Sequence, residues 1–309
     1  MLSPGFLTTM QDLGCYHYAH LGLSPSGAAD AVSLRLGNLL VGNPPNTPAL
    51  EMTLVGATVV FDSAYPVALA GSDFGATLDG QPVPRWQTLF IQPRQILRCG
   101  PSSLGARGYL CVGGGITVET VLSGSSTHLQ VSIGGNRGGP IRSGDTFELG
   151  DATDLKHALS VRPEVLDVLF RPGPLSVTVG PQAHLFAATE RSLFLSSTYR
   201  VKEESNRMGL RLSGPALTHA VREEMTTEGV SLGAIQIPPN GEPIILFVEH
   251  PTTGGYPKIA NVISADMHRV GQLRPRDDVN FEFVTMDAAI SLLREQEALL
   301  KPENCLQPL

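Results

Sequence analysis

The stretch Thr252-Thr253-Gly254-Gly255-Tyr256-Pro257-Lys258 brings two hydroxyls, a pliable backbone turn and an ammonium close together in the chain. Adjacent glycines permit positive φ and the close approach of another group. Hydroxyl, amide and ammonium donors would then converge on a carboxylate, phosphate or carbonyl oxygen. Lysine is scarce: Lys156, Lys202, Lys258 and Lys301 are the full complement, and 18 of the 22 basic residues are arginines. A lysine in this loop therefore stands out from the background, although the bare pattern also fits a plain Gly-Gly hairpin turn. A second stretch, Ser205-Asn206-Arg207-Met208-Gly209, carries a guanidinium whose fork suits planar recognition of carboxylate or phosphate. The competing reading of Arg207 is a surface ion pair with Glu203 or Glu204, which is common and weak.

A third polar stretch runs from Thr8 through Gln11 and Asp12 to Ser24-Pro25-Ser26-Gly27-Ala28-Ala29-Asp30. A loop this long within a compact domain is usually functional. His17 and His20 form an HxxH pair without a third ligand of matching type nearby, so no metal is expected. Asp30 has two readings, an active-loop carboxylate and the cap of a helix in which Val32, Leu36, Leu39 and Leu40 share one face. Ser123 to Thr127 could bind an anion but fits a solvated serine-rich turn better.

These loops need strands to position them. Ile244 to Val248 and Ile259 to Ile263 are apolar runs of strand length on either side of the Thr252 loop. From Leu50 to about Leu149 short apolar or alternating runs recur about every ten residues, and Asp79-Gly80 marks a hairpin turn. That spacing predicts a barrel or sandwich rather than alternating strands and helices. The stretch 150–163 is polar and shows no clear strand, so the domain boundary is placed there. Beyond it, Leu175 to Val179 reads as a strand, Pro181 to Arg191 as a short helix and Leu193 to Leu195 as a strand. A closing helix from about Asp287 to Leu300 would pack through Ile290, Leu293 and Leu300, ended by Pro302.

Composition bounds the rest. A chain of 309 residues fits two domains, and 33 glycines with 24 prolines favour short strands and tight turns over long helices. A net charge of −7 without a Lys/Arg cluster argues against a nucleic-acid partner. No apolar run approaches a membrane span and no leader pattern is evident, so a cytoplasmic protein is expected. Cys15, Cys99, Cys111 and Cys305 lack CxxC spacing and read as reduced thiols. Gly113-Gly114-Gly115 and Gly134-Gly135-Asn136-Arg137-Gly138-Gly139 lack the spacings that cradle nucleotides, and no nucleophile elbow or HExxH is present.

Taken together, the ordered motifs resemble the family called allophanate hydrolase subunit 2, or biotin-dependent carboxyltransferase-like. They are Gln11-Asp12-Leu13-Gly14, Ser24 to Asp30, Leu40-Val41-Gly42-Asn43, Ala49 to Leu54, Ser205 to Gly209, Gly233 to Pro238 and Thr252 to Lys258. The match runs from about Thr8 to Phe283. Cys15 stands where the family commonly has Arg, and Ala29 where it commonly has Met.

The resemblance implies a mainly β protein of two tandem cyclophilin-like β-barrels with a few short helices, divided as 1–155 and 156–309. It implies a subunit of an ATP-dependent 5-oxoprolinase, a hydrolase that opens the lactam of 5-oxoproline to glutamate. The partners implied are a B-type subunit of the allophanate hydrolase subunit 1 family and an A-type LamB/YcsF subunit, making a hetero-oligomer. Two alternatives are a carboxyltransferase acting on urea or a similar amide with biotin on a separate carrier, and a Kip-type regulatory protein. No biotin-attachment segment is seen in this chain.

On this reading the three loops converge on one pocket. The catalytic set is Lys258, Arg207 and Asp12. Lys258 and Arg207 face anionic oxygens; Thr252, Thr253 and the amides of Gly254 and Gly255 face a carbonyl or phosphoryl oxygen; Asp12 and Asp30 orient groups or move protons. Tyr256 walls the pocket, and Gln11, Ser24, Ser26, Gly27, Ser205, Asn206 and Met208 complete the binding set.

Overall fold

The computed structural model describes residues 1–152, 155–219 and 225–309. The protein is mainly β with a few short helices, as expected. Contacts divide it into two units, one of Met1–Cys15, Ser26–Phe170 and Ala298–Leu309, the other of Tyr16–Pro25 and Arg171–Glu297.

In the first unit two long strands, Tyr65–Asp73 and Leu104–Val112, pair antiparallel at the centre of a five-stranded sheet. Both are buried on two faces, and the alternation of side chains sorts their residues. Ala68, Ala70, Tyr109 and Cys111 face the Ala31–Leu40 helix. Val67, Leu69, Leu110 and Val112 pack with Met10, Met52, Val59 and Leu97, which joins this sheet to a four-stranded one. Small alanines, with Gly37 on the helix, allow close packing: a Cβ on Gly37 would lie 2.6 Å from Cys111 Sγ. Leu34, Leu36 and Leu40 of the helix are fully buried, each contributing roughly 1.5–3 kcal/mol. The Asp79-Gly80 hairpin forms as expected, with both residues at positive φ between Thr77–Leu78 and Gln81–Pro82.

The polar stretch 150–163 does contain a strand, contrary to expectation. Leu159–Val161 pairs with Leu306–Pro308, and Val161, Val165, Leu169, Leu300 and Cys305 join the core beside the Ala31–Leu40 helix. The contact division consequently falls at 170/171 rather than 155/156, with residues 298–309 returning to the first unit. A three-residue strand shows too few alternations to be read against its polar neighbours.

The second unit is built on an eight-stranded sheet. Its order is Asp278–Val279, Tyr199–Val201, Gly209–Ser213, Ile244–Leu246, Ala234–Gln236, Lys258–Val262, Leu175–Val179 and Phe281–Phe283. The two outermost strands are separated in the chain by Asn280 alone, so the sheet curls into a nearly closed barrel. Leu193 to Leu195, expected as a strand, lies in the helix Ala188–Ser196. Its three apolar residues do not share a face: Phe194 is buried and stacks on Phe281 at 4.6 Å, while Leu195 is exposed. Of the residues expected to pack the closing helix, Leu293 and Leu300 do so and Ile290 does not. Met286–Leu299 packs through Ala289, Leu292, Leu293 and Gln296, with Ile290 turned outward. Among the described residues no helix is long and apolar enough to cross a membrane.

Candidate functional site

In the first unit the early polar stretch, expected as loop, begins as the strand Leu7–Gln11 paired with Ala49–Thr53, and the loop after it is held by the segment Ser125 to Thr127. Asp12 Oδ1 accepts from the Gly14 amide at 2.7 Å and the Ser126 hydroxyl at 2.5 Å, and Oδ2 from the Ser125 amide at 2.7 Å. Both oxygens of this buried carboxylate are thus occupied by its own chain. The arrangement makes Asp12 a clamp between two loops. Thr127 O accepts from Gln11 Nε2 and the Ser26 hydroxyl, both at 3.0 Å. Ser125, Ser126 and Thr127 are buried, so this segment is not the solvated turn its composition suggested.

Gly27 is needed at this junction twice over. Its φ is +88°, and a Cβ would lie 2.8 Å from the Gly14 amide nitrogen. Gly27→Ala is expected to cost about 1–3 kcal/mol through the left-handed backbone alone, read as a lower urea midpoint with unchanged slope.

Asp30 is a helix cap. It accepts from the Ser33 amide at 2.8 Å and the Ser33 hydroxyl at 2.5 Å, and is fully buried. Its own amide donates to Tyr109 Oη at 2.8 Å, and Tyr109 donates to Glu51 Oε2 at 2.7 Å. Burial, reinforced by Glu51 and Asp30, holds the Tyr109 phenol well above its usual pKa. The network fixes the entry to the helix. Ser24, also buried, lies in the segment 16–25 counted with the second unit. Among the described residues no group of three His, Cys, Asp or Glu side chains is arranged to hold a metal.

In the second unit, Arg207 and Met208 continue alongside the neighbouring strand: Glu249 N–H donates to Arg207 O at 2.8 Å and Phe247 N–H to Met208 O at 3.0 Å. That register sets Arg207 Nε 2.5 Å from Glu249 Oε1, with both side chains buried. The surface pair with Glu203 or Glu204 is corrected: Glu203 pairs with Arg276 instead. Ser205 and Asn206 shape the turn, Ser205 Oγ accepting from Arg211 N–H at 3.0 Å and Asn206 Oδ1 from Met208 N–H at 2.8 Å. His250 follows, buried, with its pKa lowered by burial and partly restored by the Pro251 carbonyl.

Lys258 opens a central strand and is buried, its Nζ 2.6 Å from Glu228 Oε1. The same oxygen accepts from Gln182 Nε2 at 2.6 Å, and Gln182 Oε1 accepts from the Lys258 amide at 3.3 Å. Gly180 admits this contact, because a Cβ there would lie 2.3 Å from Lys258 O. Lys258, followed by Gln182, holds the Glu228 carboxyl below its usual pKa. Glu228–Gly229 pairs with Thr253–Gly254, so the threonine-glycine loop carries the ladder that presents Glu228 to Lys258. A recess of about 450 Å³ lies here, lined by Pro181, Glu228, Val230, Ser231, Lys258 and Asn261 among others. Gly254 and Gly255 do not take the positive φ expected of them. Gly254 instead leaves room for Gln236, whose Nε2 would lie 2.5 Å from an added Cβ. Tyr256 is exposed at 45%.

The candidates therefore fall into a clamp around Asp12 and Thr127 in one unit, and the Arg207–Glu249 and Lys258–Glu228 pairs in the other. Sequence reasoning missed Glu249, Glu228, Glu51 and Tyr109. Glu249 alone had a signal, standing directly after an apolar strand run.

A model of the family described as carboxyltransferase domain, subdomain A and B, matches residues 21–283. The chain belongs to this family, in line with the resemblance of its loop motifs. It is 34% identical over 292 residues to the 5-oxoprolinase C subunit of Haemophilus influenzae, covering 94% of this chain and 93% of that protein. It is 36% identical over 298 residues to the 5-oxoprolinase C subunit of Escherichia coli K12, covering 96% and 94%. The crystal structure of the Kluyveromyces lactis urea carboxylase superposes with a TM-score of 0.88 at 29% identity, over 97% of this chain and 28% of that one.

Proposed function

We propose that this chain is the C subunit of an ATP-dependent 5-oxoprolinase, acting with A-type and B-type partner subunits to open the lactam of 5-oxoproline to glutamate. The observation that carries this reading is co-extension. The chain and the two bacterial 5-oxoprolinase C subunits cover more than nine-tenths of one another. Against the urea carboxylase it corresponds to little more than a quarter.

A lactam amide resists water, and phosphorylation of its oxygen by ATP would make it a better electrophile. The groups of this chain assigned to anionic oxygens are Lys258 and Arg207. Thr252, Thr253 and the amides of Gly254 and Gly255 are assigned to the carbonyl or phosphoryl oxygen. Each well-placed donor of this kind lowers a barrier by roughly 3–4 kcal/mol. Asp12 and Asp30 serve by holding the loops, since their oxygens are taken up locally.

ATP is assigned to the complex. Two of the clustered glycines of this chain are packed against its own backbone: added Cβ atoms on Gly114 and Gly134 would lie 2.2 and 2.1 Å from Asp151 O and Ser126 O.

Reconstitution tests the reading. Glutamate and ADP release from 5-oxoproline by the A-type and B-type subunits is expected to require this chain. Equal release without it would overturn the proposal. The family model and the urea carboxylase superposition favour a second reading, carboxyl transfer from a biotinylated carrier protein to a urea-like amide. Carrier-dependent carboxylation of urea, with no lactam opening, would select it.

A further inference from the structure

We infer that Glu228 is a stand-in ligand: its carboxylate occupies the position on Lys258 that the carboxylate of a small anionic substrate takes when it enters the adjoining recess. The inference rests on Lys258 as the anion-holding group of the proposed function, and it specifies the ligand as a carboxylate.

The two partners of this pair are placed very differently. The Lys258 side chain is 4% exposed, whereas that of Glu228 is 45% exposed. A cation taken out of water needs a counter-charge at close range. Here it is supplied from the solvent side, by a residue on a ladder of two residues per strand, Glu228–Gly229 with Thr253–Gly254. The buried pair of the same unit is built otherwise. Arg207 and Glu249 are 6% and 0% exposed, and both flank a barrel ladder. That pair is enclosed on both sides, whereas the Glu228 side of this pair is open.

The recess beside Glu228 gives a small molecule room to approach the same ammonium. Ser231 Oγ and Asn261 lie on its wall, the hydroxyl donating to Asn261 Oδ1 at 2.8 Å. Displacement needs no rearrangement of the barrel strand that carries Lys258. The incoming carboxylate replaces one oxygen on Nζ, and Glu228 turns into water, where a carboxylate is well solvated. Gln182 Nε2, which donates to the same Glu228 oxygen, stays beside the ammonium as a second donor for the incoming group. Glu228 would then occupy the ammonium between turnovers and select for anions strong enough to compete with it.

The test uses the full chain as wild type, Glu228→Gln and Lys258→Met, with acetate and 5-oxoproline as charged probes. Acetamide and pyrrolidin-2-one serve as neutral counterparts. Glu228→Gln removes the competitor, so both carboxylates are expected to bind roughly two- to fivefold more tightly than to wild type, the weight of one partly exposed ion pair. The neutral amides should gain nothing, and Lys258→Met should lose the preference for charge. Glu228→Gln should also unfold at a lower temperature than wild type and be restored selectively by the carboxylates. In the unsubstituted protein, the Glu228 carboxyl carbon signal should move towards its solvated position as acetate is added, a readout independent of any variant's folding. Carboxylate affinity unchanged in Glu228→Gln, or a Glu228 signal indifferent to saturating acetate, would overturn the inference. A charge preference that follows Glu228 in a complex that opens no lactam would remove the proposed reaction and leave the stand-in role. Normal lactam opening with no effect of Glu228 on carboxylate binding would do the reverse.

Discussion

Lys258→Met is expected to lower glutamate release from the reconstituted complex by about 10²- to 10³-fold, the usual loss when one preorganised charge-stabilising donor is removed. The urea midpoint of the chain should stay close to wild type. The substitution keeps an unbranched side chain of similar length in the buried space and leaves no enclosed charge behind, because Glu228 already stands 45% exposed. Turnover within threefold of wild type would remove Lys258 from the catalytic set. A collapse of the urea midpoint would show that the lysine is structural.

Glu249→Ala should give the opposite pattern, with the principal loss in stability. Glu249 and Arg207 lie 2.5 Å apart and are both buried, so removing one partner strands the other charge away from water. Such losses run to about 3–5 kcal/mol, a large share of the net stability of any domain. Urea unfolding of the single variants Glu249→Ala and Arg207→Met, and of the double variant, checks this. The double variant should be less destabilised than the sum of the singles, since it buries no unpaired charge. Strict additivity would mean that the two residues do not depend on each other. Activity lost at Arg207 therefore has to be read against folded protein, whereas activity lost at Lys258 can be read directly.

Much of the architecture was visible in the residues because it is carried by local pattern. The Asp79-Gly80 turn, the Asp30 cap and the apolar strands around the Thr252 loop all depend on neighbours in sequence. The ordered motifs that led to the family lie on those same loops. What stayed hidden was pairing over distance. Glu249 meets Arg207 across 42 positions, and the apolar run before Glu249 hints at its burial but not at its partner. Asp12 looked like a reactive carboxylate because its clamp, Ser125 and Ser126, stands more than a hundred residues away. Phe194 and Ile290 failed for another reason: short apolar clusters do not reveal which face will be covered, and here Phe281 and the Ile263–Ala265 core decided it. Gly254 was read for its backbone freedom when its value is the space it leaves for Gln236.

The first unit takes its closing pieces, Leu300, Cys305 and the Leu306–Pro308 strand, from a segment that follows the entire second unit in the chain. During synthesis from the N-terminus, at about 5–20 residues per second, the first-unit strands must wait through 127 residues (171 to 297) for the segment that covers them. For several seconds Val161, Val165 and Leu169 would meet water or a chaperone instead of Leu300 and Cys305. The unit begun first is the one finished last, and ribosome-bound chains halted before residue 298 should be far more open to protease between residues 155 and 170 than released protein is.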